Sequence, residues 1–192
     1  MILKKPPHLP LFIMVFIGIV LCCATTAMAK KAFLDNVTLT NTRDHLIAYF
    51  NVQNAFTPKI NEAILNGIPT TFTFYISLYR ARESWFDEKI SSQKISNTLK
   101  YNALREDFSL SRPWKLKEPL AIKAFNTARE QMTDITRFTI VPMDQLVRGK
   151  KYQIRIKAEM KKIELPLYLH HVFFFLSLWN FETDWYTMDF IY

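Results

Sequence analysis

Polar and apolar residues alternate with a period of two along most of this chain. Between residues 152 and 161 the even positions carry Tyr152, Ile154, Ile156, Ala158 and Met160, and the odd positions carry Gln153, Arg155, Lys157, Glu159 and Lys161. A strand with one buried and one wetted face produces that pattern, whereas a helix would spread the charges around its circumference. Residues 71–79 behave alike, with Phe72, Phe74, Ile76 and Leu78 on one side and Thr71, Thr73, Tyr75, Ser77 and Tyr79 on the other. Leu46, Ala48, Phe50 and Val52 line one face of a third strand, and Tyr186, Met188, Phe190 and Tyr192 share a side within residues 184–192. The pattern predicts further strands over residues 33–40, 88–101, 104–111, 120–125 and 136–141.

Two short helices are predicted between the strands. Thr57 is a good N-cap, Pro58 suits the first helical position, Ile60, Ala63 and Ile64 form an apolar stripe, and Gly67 can close the end in a left-handed conformation. Thr127-Ala128-Arg129-Glu130 fits a capping box opening a helix that runs to about Thr133. Residues 166–176 read either as a third helix or, through Phe173, Phe174 and Phe175, as a buried strand. Eight or nine antiparallel strands with two or three short helices predict a mainly-β fold, a sandwich or an open barrel.

The start of the chain follows a different pattern. Lys4 and Lys5 form a basic beginning, residues 11–23 an apolar run, and Ala27-Met28-Ala29 a small-x-small cleavage site, the layout of a secretory signal peptide. An uncleaved anchor is the alternative, since residues 11–29 approach the length that spans a bilayer. Lipidation at Cys22 or Cys23 is disfavoured, because Leu21 and Cys22 stand where a small residue is wanted. Residues 30–192 are undivided by any linker, charge block or repeat and are expected to form one domain.

Cleavage after Ala29 would remove both cysteines, which excludes thiol catalysis and thiolate metal sites from the mature chain. Removing Lys4 and Lys5 takes the formal charge from +8 to +6. A basic exported protein is drawn to an anionic membrane surface or an acidic partner, and no nucleic acid partner is expected. Gly67 and Gly149 are the only glycines after the leader, too few for a phosphate-binding loop or a dinucleotide-binding turn. There is no G-x-S-x-G element. His45, His170 and His171 lack ligand spacing, because adjacent histidines face apart on either kind of element. No metal, cofactor or catalytic residue is therefore assigned. Asp87 and Glu88 beside Trp85 and Phe86, and Glu182 and Asp184 beside Phe181 and Trp185, place acids near aromatics as carbohydrate sites do, but exposed turns account for them more simply.

Several strings resemble a known family. They are residues 61–69, ending in Gly67-Ile68-Pro69; Trp85-Phe86-Asp87-Glu88-Lys89; Tyr101-Asn102-Ala103-Leu104 with Phe108-Ser109-Leu110; and Asp184-Trp185-Tyr186. With the leading signal they resemble the bacterial family catalogued as domain of unknown function 4390, over nearly all of residues 30–192. The resemblance implies an exported protein of Gram-negative bacteria, with no assigned activity, in genes often near a membrane sensor histidine kinase. The chain departs from the family pattern at residues 167–178, which are more aromatic and include His170 and His171. Gly67, Pro69 and Asn102 have structural readings: positive φ at Gly67, an extended Ile68 before Pro69, and a tight turn with Asn102 in a left-handed position.

Residues 165–179 are the most apolar stretch after the leader and too short for a membrane span. Phe173, Phe174, Phe175 and Trp179 form the candidate interaction patch, since a large apolar run is either core or a contact surface. The leading expectation is a non-enzymatic interaction or scaffold protein of the envelope that meets a membrane protein or the membrane surface. The runner-up is a periplasmic binding module holding an apolar or lipid-like ligand inside the β fold, suggested by the 15% aromatic content. An uncharacterised hydrolase is third. Intact-mass analysis of protein from the producing cell should give a chain beginning at Lys30; retention of residues 1–29 would establish an anchor instead.

Overall fold

The computed structural model describes residues 31–83, 86–160 and 181–192. The expected signal segment (residues 1–29), Trp85, the predicted helix or strand at 166–176, His170, His171 and the patch Phe173, Phe174, Phe175 and Trp179 lie outside the described residues. In chain order the elements are β1 (Phe33–Asn41), β2 (His45–Gln53), α1 (Pro58–Leu65), β3 (Thr70–Arg80), β4 (Glu88–Asn102), β5 (Asp107–Ser111), β6 (Leu120–Ile122), α2 (Phe125–Thr133), β7 (Ile135–Pro142), β8 (Lys151–Met160), β9 (Phe181–Glu182) and β10 (Tyr186–Ile191). A short 3-10 turn, Met143–Gln145, follows β7.

The expected mainly-β, antiparallel architecture is what forms, as two sheets and not a closed barrel. The smaller sheet has the order β1-β2-β7, and the larger runs β10-β8-β3-β4-β5-β6 with β9 also paired to β8. β3 sits centrally, paired with β4 over its whole length and with β8 from Phe72 to Arg80. Its even side chains Phe72, Phe74, Ile76 and Leu78 are buried, as alternation predicts, and the ring of Phe74 meets that of Phe50 in β2 edge-on at 5.8 Å. Phe72 is held between Phe56 and Phe181, at 5.5 and 5.0 Å.

α1 begins and ends as its sequence dictates. The Thr57 hydroxyl accepts the Ile60 amide, and Pro58 takes the first position, where its missing N–H costs nothing. At the other end Gly67 has φ +79°; its amide donates to the Ile64 carbonyl and the Ile68 amide donates to that of Ala63. These paired bonds, with Ile68 and Ala63 both buried, form a Schellman motif.

Four local expectations are corrected. The capping box at Thr127 does not form: α2 starts at Phe125, with Ala124 as N-cap and no side-chain cap. Phe125 stacks on Phe108 at 5.2 Å and lies under the Arg129 guanidinium at 5.2 Å, and burying that ring outweighs the roughly 1 kcal/mol of a polar cap. The strand predicted to reach residue 125 accordingly stops at Ile122. In the β4–β5 turn the left-handed residue is Glu106 (φ 51°), while Asn102 stays in β4 and accepts the Leu104 and Arg105 amides through Oδ1. Leu104 therefore belongs to the turn and not to β5.

The smaller sheet is irregular where it must curve. Asn36 (φ 52°) sits in the register shift between β1 and β2, and Arg137 (φ 56°) in that between β2 and β7. On the outer edge of β7, the Gln93 amide donates to the carbonyls of Thr139 and Ile140, and the Ser91 hydroxyl donates to that of Ile140. Side chains of β4 thus occupy acceptors that another strand would otherwise pair with. Deep in the molecule, the fully buried Asn97 accepts from the Trp114 indole at 2.8 Å and donates to the Met132 carbonyl at 2.7 Å, tying β4 to α2 and to the loop after β5.

Gly67→Ala should lower unfolding free energy by about 1 kcal/mol, because a left-handed Cβ costs about 1–2 kcal/mol and the stiffer unfolded chain returns only part of it. The new methyl would stand 3.6 Å from the Tyr101 carbonyl oxygen, an ordinary contact, so no further steric cost is expected. Urea unfolding measures this; an unchanged midpoint would contradict the left-handed cap.

Candidate functional site

The main candidate is the place where β8 and β9 form the stem of a hairpin. Glu159 pairs with Glu182 and Met160 with Phe181, so the last described residue of β8 and the first of β9 are neighbours. Between these points lie residues 161–180, which contain the candidate interaction patch. The stem is firmly built. Phe181 packs on the buried Phe72, the Thr183 hydroxyl accepts the Ala158 amide at 3.0 Å, and the Thr183 amide donates to the Ala158 carbonyl at 2.9 Å.

Gly67, Pro69 and Asn102 are gathered at this same end of the larger sheet. Met160 is level with Phe72 and Phe72 with Asn97, so the β4–β5 turn projects beyond the stem. The approach of Gly67 to the Tyr101 carbonyl places the end of α1 against the base of that turn. The motif residues are thus assembled in space, and their bonds are those of a helix cap and a turn.

The acids singled out beside aromatics do not converge on one another. The Asp87 carboxylate accepts from Arg155 at 3.0 Å, Glu182 from Lys157 at 2.6 Å and Asp184 from Lys31 at 2.7 Å. Glu88 is held by Arg80 and by Arg82, and hydrogen bonds from Arg82 and then Arg80 pull its pKa below the usual carboxylate range. A carboxylate kept ionised in this way is unsuited to donating a proton. His45 is exposed at the start of β2. Among the described residues no three His, Cys, Asp or Glu side chains come together as a metal site.

The outward face of the larger sheet is polar and internally paired. Thr71 and Thr98 share a hydrogen bond at 2.8 Å, and Ser77 and Ser92 one at 3.1 Å. The Tyr75 hydroxyl donates to Glu159, and that bond, followed by burial and the carboxylate charge, pushes its pKa up to about 12. Arg155 lies 4.3 Å over the Tyr79 ring and Lys157 5.9 Å from that of Trp185. The polar groups of this face satisfy one another, with Ser77 and Thr73 buried among their neighbours.

Two clefts were not foreseen. One, of about 520 Å³, opens between the end of β2 and α2 and includes Asn51, Asn54, Phe56, Arg129, Glu130 and Asp134. Arg129 is sandwiched there between the rings of Phe56 and Phe125, and its Nε has no hydrogen-bond partner. The four-residue spacing of Phe125 and Arg129 was the available signal, since such pairs share a helix face. Asp134 follows the last turn of α2, and burial raises its carboxyl pKa against the opposing pull of Lys115 and Arg112. Burial likewise lowers the pKa values of Arg112 and of Lys115, the latter with help from the Arg112 charge. Perturbed groups can mark function, but desolvation leads in all three and no nucleophile is placed among them. The second cleft, also about 520 Å³, runs between the unpaired edges of β1 and β10 and includes Val37, Leu39, Met143, Met188, Phe190 and Tyr192.

These features define a two-sheet antiparallel β protein with an apolar core between the sheets and a hairpin stem at the ends of residues 161–180. Residues 29–189 match the family model described as Domain of unknown function (DUF4390), and the chain belongs to that family. No curated protein and no solved structure matches it.

Burial raises the Asp134 pKa in the folded state above its unfolded value, so folding takes up a proton in that interval. The stability associated with this group is then fullest at low pH and is lost as pH rises through the raised folded pKa. Asp134→Asn should accordingly melt higher than wild type near pH 7, with the two curves converging near pH 3, where the carboxyl is neutral. A lower melting temperature for the variant at neutral pH would mean that Lys115 and Arg112 dominate.

Proposed function

We propose that this protein is a non-enzymatic interaction protein of the bacterial envelope, in which a rigid sandwich presents residues 161–180 to a membrane protein or the membrane surface. The observation that carries this reading is the closed stem: Met160 and Phe181 are paired neighbours on a packed body, and the apolar residues 161–180 are joined to it at those two positions. The strands described for the two sheets lie within residues 33–160 and 181–191. A large apolar segment joined to a body that already has its own apolar core is suited to a contact surface.

The large side chains packed between the sheets support interaction over apolar-ligand carriage. Phe50, Phe72, Phe74, Leu99, Ile135, Tyr152 and Ile154 occupy the space between the sheets, and the two clefts described above open at the surface. Export follows from the N-terminal signal pattern, and association with a membrane sensor kinase system from the family resemblance. Neither rests on the geometry.

Replacing residues 161–180 with Asn-Gly would turn the stem into a two-residue hairpin, a loop length that antiparallel strands accept. This variant should keep a cooperative melt and lose envelope crosslinks at least ten-fold. In the full-length chain, Phe174→Asp provides the companion test and should weaken the same crosslinks. Unchanged crosslinks in folded protein of either kind would reject the proposal.

A further inference from the structure

The described body has two ends, and the N-terminal junction at Lys31 and the β8–β9 stem lie at the same one. Lys31, where the first 30 residues join the body, donates to Asp184 at 2.7 Å, three residues after the stem residue Phe181. Residues 161–180 join the body at that stem. Lys30-Lys31 begins the chain expected after cleavage, and Lys161-Lys162 opens the apolar segment. Paired cations flanking apolar segments match the charge of an anionic lipid surface, each contributing about 1 kcal/mol near such a surface.

The same end exposes apolar side chains that the core does not use. Leu104, at the tip of the β4–β5 turn, is 98% exposed, and Leu65 on the last turn of α1 and Phe33 at the start of β1 are each 47% exposed. The turn is held in shape by Asn102 beneath it, and Lys123 donates to the Arg105 carbonyl at 2.9 Å, so the tip is a fixed projection. From Asn97, level with the stem, β4 runs on to Asn102, carrying Leu104 about 15 Å beyond the stem. Arg105 follows Leu104 in the turn and Lys123 is bonded to its carbonyl, Lys100 precedes them on β4 and Lys59 lies on α1, against Glu62, Glu106 and the buried Asp107 that Arg105 engages at 3.4 Å. An apolar tip with basic side chains beside it is suited to entering the headgroup layer while its cations stay among phosphates.

We infer that this end of the sandwich docks on an anionic bilayer surface, with Leu104 as the inserted tip and the Arg43 end of the body pointing away. The inference rests on the envelope reading above and deepens it by naming the surface and the orientation. The body then stands upright on the membrane, with the polar outer face of the larger sheet roughly along the normal.

The test is the depth of a fluorophore at two positions of the full chain. Leu104→Cys and Arg43→Cys, each in a Cys22→Ser, Cys23→Ser background, are labelled with an environment-sensitive dye and mixed with phosphatidylglycerol-containing vesicles. The Arg43 position lies in the turn between β1 and β2, at the far end from the stem. The label at 104 should shift to shorter wavelength and be quenched by spin-labelled lipid, while that at 43 stays in water. Arg105→Glu with Lys123→Glu should reduce the quenching at 104 at least five-fold. Quenching at 43, equal quenching at both positions, or none at 104 would overturn the inference. Envelope crosslinks from residues 161–180 that persist without quenching at 104 would remove the docking surface and leave the interaction reading standing. Quenching at 104 without any such crosslinks would do the reverse.

Discussion

Pairing on both edges of β3, together with burial of Phe72, Phe74, Ile76 and Leu78 beneath the smaller sheet, ties the register of β3, β4 and β8 to one apolar layer. A slip of one residue would turn those four side chains outward and bring Thr71, Thr73, Tyr75 and Ser77 into the core. Fully burying each such side chain contributes about 1.5–3 kcal/mol, so the register is strongly specified. Everything at the stem end inherits that register. It sets Met160 opposite Phe72, places Phe181 on the Phe72 ring, and determines how far the β4–β5 turn reaches beyond them.

Charge plays a secondary part in the fold. The ion pairs that Lys31, Arg155 and Lys157 make lie at or near the surface, where such pairs contribute little. Their effect is to occupy carboxylates that would otherwise read as paired catalytic acids. The polar network around Asn97 has the opposite character. It is buried and its amide makes bonds at both ends, so removing one partner would strand the other without water. The cluster of Arg112, Lys115 and Asp134 is less well satisfied, as the unpartnered Nε of Arg112 indicates.

Much of the fold was legible because alternation reports directly on which face of a strand is buried, and because caps are local chemistry. Thr57, Pro58 and Gly67 specify α1 within ten residues of chain, and the structure uses each as its type predicts. Where local and distant preferences competed, the distant ones won. Thr127 and Glu130 offered a capping box, but the Phe125 ring had Phe108 to stack on, and that contact is invisible until β5 and α2 are brought together. Asn102 offered a left-handed turn residue, yet pairing with Asp107 kept it in the strand and left Glu106 to take the positive φ.

The sequence by itself determined the mainly-β class, the faces of the long strands, the closing of α1 and the family, because periodicity and cap chemistry act within a few residues. Only the tertiary structure decided which distant elements share an end of the molecule. That Lys31 meets Asp184, that Met160 meets Phe181, and that Leu104 projects beside them follow from strand order and register, which set positions between residues far apart in the chain. The cleft beside Arg129 and the burial of Asp134 arise in the same way. A side chain's desolvation depends on what packs around it, and that neighbourhood exists only after the sheets have closed on each other.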